Sequence, residues 1–251
     1  MPAPASPISR IDPLSDVLRT VQLTGALFFV VEASNPWGVE VPPVTDYASI
    51  VLPGAQHVVS YHVILEGEGW VVMPAGVQAR FAAGDVLLIA HGDPHRLSSA
   101  PAQPPEFDGP ATVAFLREMA AGRLPFVVEE GGGGAVRTRY VCGYLGCDTR
   151  PFNPVLAALP PLLHVKGDAA GRPDLLARLI DLTLEEAQQE RAGGEGLRLR
   201  LSELLFVEVI RRHLASAAAN GTGWLGGLAD PAGGSFVGDV TFLRPHVLAD
   251  P

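Results

Sequence analysis

Apolar and polar positions in residues 61–97 form short runs separated by turn signals. An apolar run at residues 61–65 leads into a Glu-Gly-Glu-Gly turn at residues 66–69, and a second β-rich run covers residues 70–73. After a Pro-Ala-Gly turn the pattern ends on the apolar run at residues 86–89. Short strands at near-regular spacing, bounded by Gly, Pro and Asp, are typical of an antiparallel barrel or sandwich. This stretch therefore predicts the centre of a β-barrel.

The same pattern continues on both sides of that stretch. Residues 23–31, 47–52 and 57–65 are predicted as strands, which gives about six to eight strands in the first hundred residues. Residues 115–126 are predicted as a loop with a helical turn. Residues 136–145 then form the strand that is expected to close the barrel.

In the last third of the chain, the spacing of apolar residues changes from every second residue, as in a strand, to the spacing of a helix. Residues 175–191 predict one helix, preceded by the start signal Pro-Asp, and residues 197–219 predict a second. The second helix has an apolar face at Leu197, Leu201 and Leu204 that shifts round farther along the helix. A helix that is apolar on more than one side is buried on more than one side. We expect one side to pack on the first helix or the barrel and the other on a second subunit.

These patterns divide the chain into four parts. Residues 1–10 are expected to be a flexible tail, residues 11–165 a β-barrel, and residues 166–223 an antiparallel helical hairpin. Residues 224–251 lack periodicity and predict an irregular tail. The fold class is mainly β with C-terminal helices.

The composition of the chain argues against several classes of function. The net charge is −9, from 18 basic and 27 acidic residues, which argues against nucleic-acid binding by phosphate neutralisation. The chain shows no signal peptide, and no apolar run approaches the roughly 20 residues that span a bilayer, so no membrane association is expected. With only two cysteines, the cytoplasm is the expected compartment.

Two short-spaced pairs of side chains could bind a metal ion. They are His91 with His95 and Cys142 with Cys147, a set that suits tetrahedral Zn²⁺. Four protein ligands leave no open position, so such an ion would be structural or sensory rather than catalytic. The alternative is that the cysteines are packed in the core, where free Cys is common.

Several residues of the central stretch resemble the cupin family. Gly84, Gly92 and His95 match the second cupin motif, with Ala90 at the usual proline position, and residues 63–69 look like the end of the first motif. The resemblance implies a double-stranded β-helix, or jelly-roll, barrel. The first-motif HxH and Glu metal ligands are missing from this sequence.

The order of motifs is similar to one particular family. A cupin barrel followed by Tyr-Val-Cys-Gly at residues 140–143, by residues 153–160 and by two helices resembles the N-terminal effector domain of AraC-type transcriptional regulators. The resemblance implies that the barrel senses a small-molecule effector and that the helices of residues 175–219 form a homodimer. The DNA-binding helix-turn-helix half of that family has no counterpart after Asn220, so we expect no direct DNA binding by this chain.

The cupin resemblance also suggests a different metal site and a different function. His57, His62 and His95 could supply three imidazoles inside the barrel and an open position, as in a metal-dependent dioxygenase or isomerase. However, a spacing of five places His57 and His62 on opposite faces of a regular strand. We therefore expect a sensor rather than an enzyme.

Three aromatic side chains of the central stretch are candidates for lining a ligand pocket. They are Tyr61, Trp70 and Phe81. Aromatic residues on barrel strands also serve as core packing, which is the alternative for each of them.

Overall fold

The structure is a computed structural model that describes residues 23–148, 154–167, 175–189 and 191–219. The two predicted tails, residues 1–10 and 224–251, lie outside the described residues. Within the described ranges, no helix is both long and apolar enough to cross a membrane.

In the part of the chain that the structure describes, ten strands form two sheets. They are β1 (Leu23–Ser34), β2 (Gly38–Val41), β3 (His57–Glu66), β4 (Glu68–Val72), β5 (Gln78–Ala82), β6 (Val86–Ile89), β7 (His95–Ser98), β8 (Val127–Gly131), β9 (Arg137–Cys147) and β10 (Leu163–Val165). The six-stranded sheet has the order β10-β6-β3-β9-β1-β8, and the four-stranded sheet has the order β2-β7-β4-β5. All neighbours are antiparallel except β1 and β8, which run parallel. The predicted mainly β cupin fold is confirmed.

Five helices within the same described ranges accompany the sheets. They are α1 (Ala48–Val51), α2 (Gly109–Ala120), α3 (Pro154–Ala158), α4 (Leu175–Ala187) and α5 (Gly194–Ala219), with short 3-10 turns at Val44–Asp46 and Pro74–Gly76. The two long C-terminal helices, α4 and α5, pack against each other as the sequence pattern predicts.

The predicted strand at residues 47–52 is wrong, because this segment forms the one-turn helix α1. The side chain of Tyr47 is buried in the barrel, and the backbone N–H of Val51 donates to the Tyr47 carbonyl at 3.0 Å. The run of six is apolar enough for a strand but is bounded by turns on both sides. A short apolar run does not distinguish the two structures by its pattern alone.

The predicted loop at residues 115–126 is also wrong in part. Helix α2 covers Gly109–Ala120, and the side chain of Asp108 caps it by accepting a hydrogen bond from the Ala111 N–H at 3.0 Å. Proline near the first position and an Asp cap are the ordinary helix start signals. They lie in a Pro-rich segment just before the predicted loop.

The six-stranded sheet is covered on both faces, so its strands contain nearly continuous apolar runs rather than alternating ones. One face packs on the four-stranded sheet and α2 and encloses the barrel interior. The other face packs on the C-terminal helices. In β3, Val58 and Ile64 point into the barrel, whereas Val59 and Val63 point towards the helices. Alternate residues of each central strand therefore belong to different cores.

The carboxylate of Asp85 ties the barrel to the segment that leads into the helices. It accepts hydrogen bonds from the N–H groups of Ala82 (3.1 Å) and Gly167 (3.0 Å), from Nε2 of His164 (2.8 Å) and from Nζ of Lys166 (3.1 Å). Burial acts to raise the pKa of Asp85, but these donors hold it below its ordinary value. The turn between β5 and β6 is thus fixed to β10.

Candidate functional site

An apolar cavity lies where α2 covers the edges of the two sheets. It encloses about 520 Å³ of empty space, including the part that is open to solvent. Its walls come from β1, β2, β8, β9 and α2, and its lining residues are Phe29, Val31, Val39, Val41, Phe107, Thr112, Phe115, Leu116, Val128, Glu129, Glu130, Tyr140, Cys142 and Tyr144. A concave, mostly apolar site with a few polar groups is the usual form of a small-molecule site.

The register of the strands determines which side chains reach the cavity. On β9, Tyr140, Cys142 and Tyr144 share the face that points into the barrel, and on β1 the odd-numbered positions Phe29 and Val31 do so. The hydroxyl of Thr112 on α2 donates to the Glu40 carbonyl of β2 at 2.7 Å, which holds α2 over the cavity. With the exception of Phe107, the residues that line the cavity therefore lie on strands and on α2.

The polar end of the cavity is a pair formed by Glu130 and Tyr140. The Tyr140 hydroxyl donates to Oε1 of Glu130 at 2.6 Å, and its ring stacks on Trp37 with the centroids 5.4 Å apart. Burial raises the pKa of Glu130 to about 7, and the charge of Glu106 adds to this, although the Tyr140 hydrogen bond opposes it. Groups with shifted pKa values in a cleft are candidates for a functional role.

Behind the cavity wall, three polar side chains meet inside the barrel. His62 Nε2 lies 2.9 Å from His95 Nε2, and His62 Nδ1 lies 3.4 Å from Cys142 Sγ. His95 Nδ1 also lies 3.1 Å from the Asp93 carbonyl. Burial lowers the pKa of His62 well below its ordinary value and that of His95 to about 4, so both rings are neutral near pH 7.

Of the four predicted zinc ligands, the structure brings together His95 and Cys142 through His62. His91 lies apart, with Nε2 hydrogen-bonded to the Leu159 carbonyl at 2.8 Å, and Cys147 packs on the helix side of β9. Cys142 and Cys147 are five residues apart in a regular strand, so their side chains point to opposite faces. Among the described residues, no group of three or more His, Cys, Asp or Glu has an arrangement suited to a metal ion.

The alternative set of three histidines is also divided. His62 and His95 form the buried pair, but His57 Nε2 binds the Ala90 carbonyl at 2.6 Å. The register from His57 to Ile64 against β9 is regular, so no bulge turns His57 into the barrel. The five-residue spacing therefore places His57 and His62 on opposite faces of the strand, as strand geometry predicts.

The three predicted pocket aromatics do not line the cavity. Tyr61 packs in the core between the sheet and the C-terminal helices, and Trp70 alternates with the barrel-facing Val71. Phe81 is fully buried in the barrel interior but lies on the four-stranded sheet, beside Gly69. All three positions come from the central stretch, whereas the cavity is built mainly from β1, β8, β9 and α2.

Sequence reasoning missed the polar pair of the cavity, Glu130 on β8 and Tyr140 on β9. Glu130 belongs to a Val-Val-Glu-Glu-Gly strand that precedes further glycines, and this context looks like a loop. The signal that could have indicated a strand is the hydrophobic pair Val127 and Val128, which directly precedes Glu129 and Glu130. Such a short run carries little periodicity.

The outer surface of the helical hairpin carries a second candidate site. Four leucines on α4 and α5 are about half exposed, namely Leu175 (49%), Leu182 (51%), Leu197 (47%) and Leu204 (53%). In each helix the two are seven residues apart, so they lie on one face. We call these four residues the leucine stripe.

Comparisons with known proteins place this chain in a family and identify similar proteins. A family model described as Cupin matches residues 12–215. The chain is 27% identical over 225 residues to a protein of Streptomyces lividans named "Putative AraC-like transcription regulator", covering 88% of this chain and 66% of that protein. It is 23% identical over 222 residues to the HTH-type transcriptional regulator AlkR of Acinetobacter baylyi, covering 88% and 67%. The chain thus spans about two thirds of the length of these relatives.

Among solved structures, the chain is similar to ToxT of Vibrio cholerae in its unsaturated fatty acid-bound form. The TM-score is 0.39 and the identity 10%, over 77% of this chain and 56% of that chain. An apo form of ToxT that carries a single substitution gives the same TM-score and identity, over 75% and 55%.

Proposed function

The chain belongs to the cupin family, and from that membership we propose that it is the ligand-sensing and dimerisation domain of an AraC-type transcriptional regulator. The cavity under α2 carries this proposal. It is apolar, it lies inside the barrel and it ends on a polar pair, as expected of a site that binds a small molecule and orients it. Both cysteines are free and buried, which is consistent with a reducing compartment, and we place the protein in the cytoplasm.

Filling the cavity tests the sensor role. Val39 lies on β2 and is partly buried in the cavity wall, so Val39→Trp should occupy the space that a ligand needs. Small apolar molecules are expected to raise the thermal unfolding temperature of the wild-type protein and to lose this effect in the variant, because a ligand stabilises only the state that binds it.

The matched control is Val77→Trp, since Val77 is 53% exposed and is not part of the cavity wall. It should respond to ligand as the wild type does. Ligands that stabilise both variants equally would place binding elsewhere and would contradict the proposal.

The leucine stripe supports dimerisation. Each of the two packed helices carries two exposed leucines seven residues apart, which is the spacing of the apolar seam of a coiled coil. The seam is bordered by charged side chains, among them Arg178 and Glu185 on α4. An exposed apolar patch that is rimmed by charged residues is typical of a surface covered by a protein partner. We propose that the partner is a second copy of this chain.

Analytical ultracentrifugation tests the dimer. The wild type is expected to be a dimer at micromolar concentration, and Leu182→Glu with Leu204→Glu is expected to be a folded monomer, because two charges would be buried against an apolar partner. Val136→Glu is the control, since Val136 is also exposed (58%) but is not part of the stripe. A wild-type protein that is still monomeric at about 100 µM would contradict the proposed dimer, because that concentration is roughly the weak limit of specific association.

The contacts between barrel and hairpin provide a path for linkage. Helix α5 packs on β1 and β10, and β1 also lines the cavity through Phe29 and Val31. A ligand that favours one arrangement of β1 would thereby favour one arrangement of the hairpin. In this proposal the hairpin transmits the signal to a DNA-binding half.

Zinc stays a prediction from the sequence. The buried histidine pair offers two imidazole nitrogens at 2.9 Å, but Cys142 contacts the other nitrogen of His62, so these three do not converge on one ion. They do not fit the closed four-ligand set, and no step of the proposal depends on a metal. Metal analysis of the wild type and of His95→Ala would decide: about one zinc per chain that is lost in the variant would support an ion at this pair.

A further inference from the structure

The charges around the cavity are all of one sign. Its lining includes two carboxylates, Glu129 and Glu130, and no Lys, Arg or His among the described residues. Glu106 adds a third nearby carboxylate, and the other ionisable neighbours on β9, Cys142 and Tyr144, are neutral acids held so by burial. The walls from β1, β2 and α2 contribute only uncharged side chains.

Among the described residues, Glu130 has no cationic partner. Tyr140 donates to its Oε1 atom, and the same described residues donate no hydrogen bond to its Oε2 atom. The nearby cation Arg139 is committed elsewhere, because it pairs with Glu32 at 3.2 Å on the other face of β9. A desolvated carboxylate with one neutral donor is destabilised unless a further donor or a positive charge reaches it.

We propose that the cavity selects an effector with an apolar body and a cationic, hydrogen-bond-donating head group, which binds the free oxygen of Glu130 while Tyr140 holds the other. This inference rests on the proposed sensor function and specifies the ligand class of the same cavity. An ammonium group at Oε2 would form a charge-assisted hydrogen bond in a poorly solvated site, where such bonds are strongest. A carboxylate head group would meet only negative or apolar walls and would be rejected.

A matched series of eight-carbon ligands tests the head-group preference. Octylammonium, 1-octanol and octanoate share one apolar chain and differ only in the charge of the head. Calorimetric titration of the 251-residue chain at pH 8 is expected to give octylammonium at least about tenfold tighter binding than 1-octanol, which corresponds to about 1.4 kcal/mol. Octanoate is expected to bind more weakly than 1-octanol.

Two variants locate the preference. Glu130→Gln removes the charge but keeps the size and the contact with Tyr140, so the preference for octylammonium should disappear while 1-octanol binding is retained. Glu195→Gln makes the same change at an exposed residue of α5, outside the cavity lining, and should keep the preference. Retained binding of 1-octanol shows that Glu130→Gln is folded.

The outcomes separate this inference from the sensor function. Octanoate binding at least as tightly as octylammonium would overturn the inference and leave the sensor function standing. Equal binding of all three, or a preference that survives Glu130→Gln, would do the same. If no member of the series binds, and Val39→Trp alters nothing, both proposals fail.

Discussion

The two faces of the six-stranded sheet are built from the same strands but are used differently. The helix-facing side is predominantly apolar and closely packed, and a Cβ added at Gly143 would overlap the Tyr61 ring. The gap beside Tyr61 and Ile180 contains about 210 Å³ of empty space and the cavity on the barrel side about 520 Å³, both including space that is open to solvent. The barrel-facing side also buries the histidine pair.

This difference shows how one sheet can combine stability with binding. Alternation places neighbouring residues of a strand in different surroundings, so a polar group or a space on one face does not disturb the packing on the other. The helix side holds the hairpin to the barrel. The barrel side retains groups that cost stability, such as a carboxylate in an apolar cavity, and natural proteins commonly accept that cost at binding sites.

The strongest test of close packing on the helix side is Gly143→Ala. The new methyl group would collide with the Tyr61 ring, which is buried between the sheet and the helices, so we expect a loss of about 3 kcal/mol in the free energy of unfolding. Urea denaturation measures it. Gly196→Ala on α5 is the control, because a Cβ there meets nothing within 4 Å, and it should be neutral or stabilising. A Gly143→Ala protein as stable as the wild type would mean that the helix side is loosely packed.

Adjacent valines of β1 compare the two faces directly. Val30 is fully buried on the helix side, and Val31 lines the cavity. Val30→Ala should cost about 2 kcal/mol in the free energy of unfolding, because it opens a hole in a filled core. Val31→Ala should cost about 1 kcal/mol, because its side chain already lacks partner atoms on the cavity side. Equal losses in urea denaturation would remove the distinction between the faces.

Much of the fold could be predicted from the sequence because its signals are local. Turn residues between short apolar runs marked β3 to β6, and the helical period marked α4 and α5. The prediction failed at residues 47–52, where six apolar and small residues support either a strand or a helical turn, and tertiary burial of Tyr47 decides between them.

The candidate site was predicted less well because it depends on register. The spacing in sequence suggested that Cys142 and Cys147 act together, but an odd separation in a continuous strand puts them in different cores. Whether β9 is continuous through both cysteines becomes visible only from its pairing with β1 and β3. In the same way, Glu130 on β8 contacts Tyr140 on β9 because both strands flank β1 in the sheet. The parallel pairing of β8 with β1 leaves no signal in the local sequence of either strand.

The cost of placing the partly buried Glu130 carboxylate in the cavity can be measured as a function of pH. The pKa of Glu130 is about 7 in the folded protein against an ordinary 4.5, so ionisation destabilises the fold, and this penalty grows as pH rises from 4.5 through 7. Glu130→Gln should therefore stabilise the protein by about 1–2 kcal/mol at pH 8 and by less at pH 5. Thermal or urea unfolding at the two pH values measures the difference. A gain that is larger at pH 5 would contradict the conclusion that ionised Glu130 destabilises the fold.

The smallest expected effect concerns the cover of the cavity. Asp108 caps α2, and Asp108→Ala should lower the free energy of unfolding by about 1 kcal/mol, because the Ala111 N–H loses its acceptor. Asp108→Asn should retain most of this stability, since Asn caps helices about as well as Asp.

Because α2 forms one wall of the cavity, fraying of its first turn in Asp108→Ala should also accelerate hydrogen exchange near Thr112, while Val30 on the opposite face of the sheet stays protected. Equal acceleration at both sites would mean that the cover of the cavity and the helix-side core open as one unit, and that the two faces of the sheet are not independent.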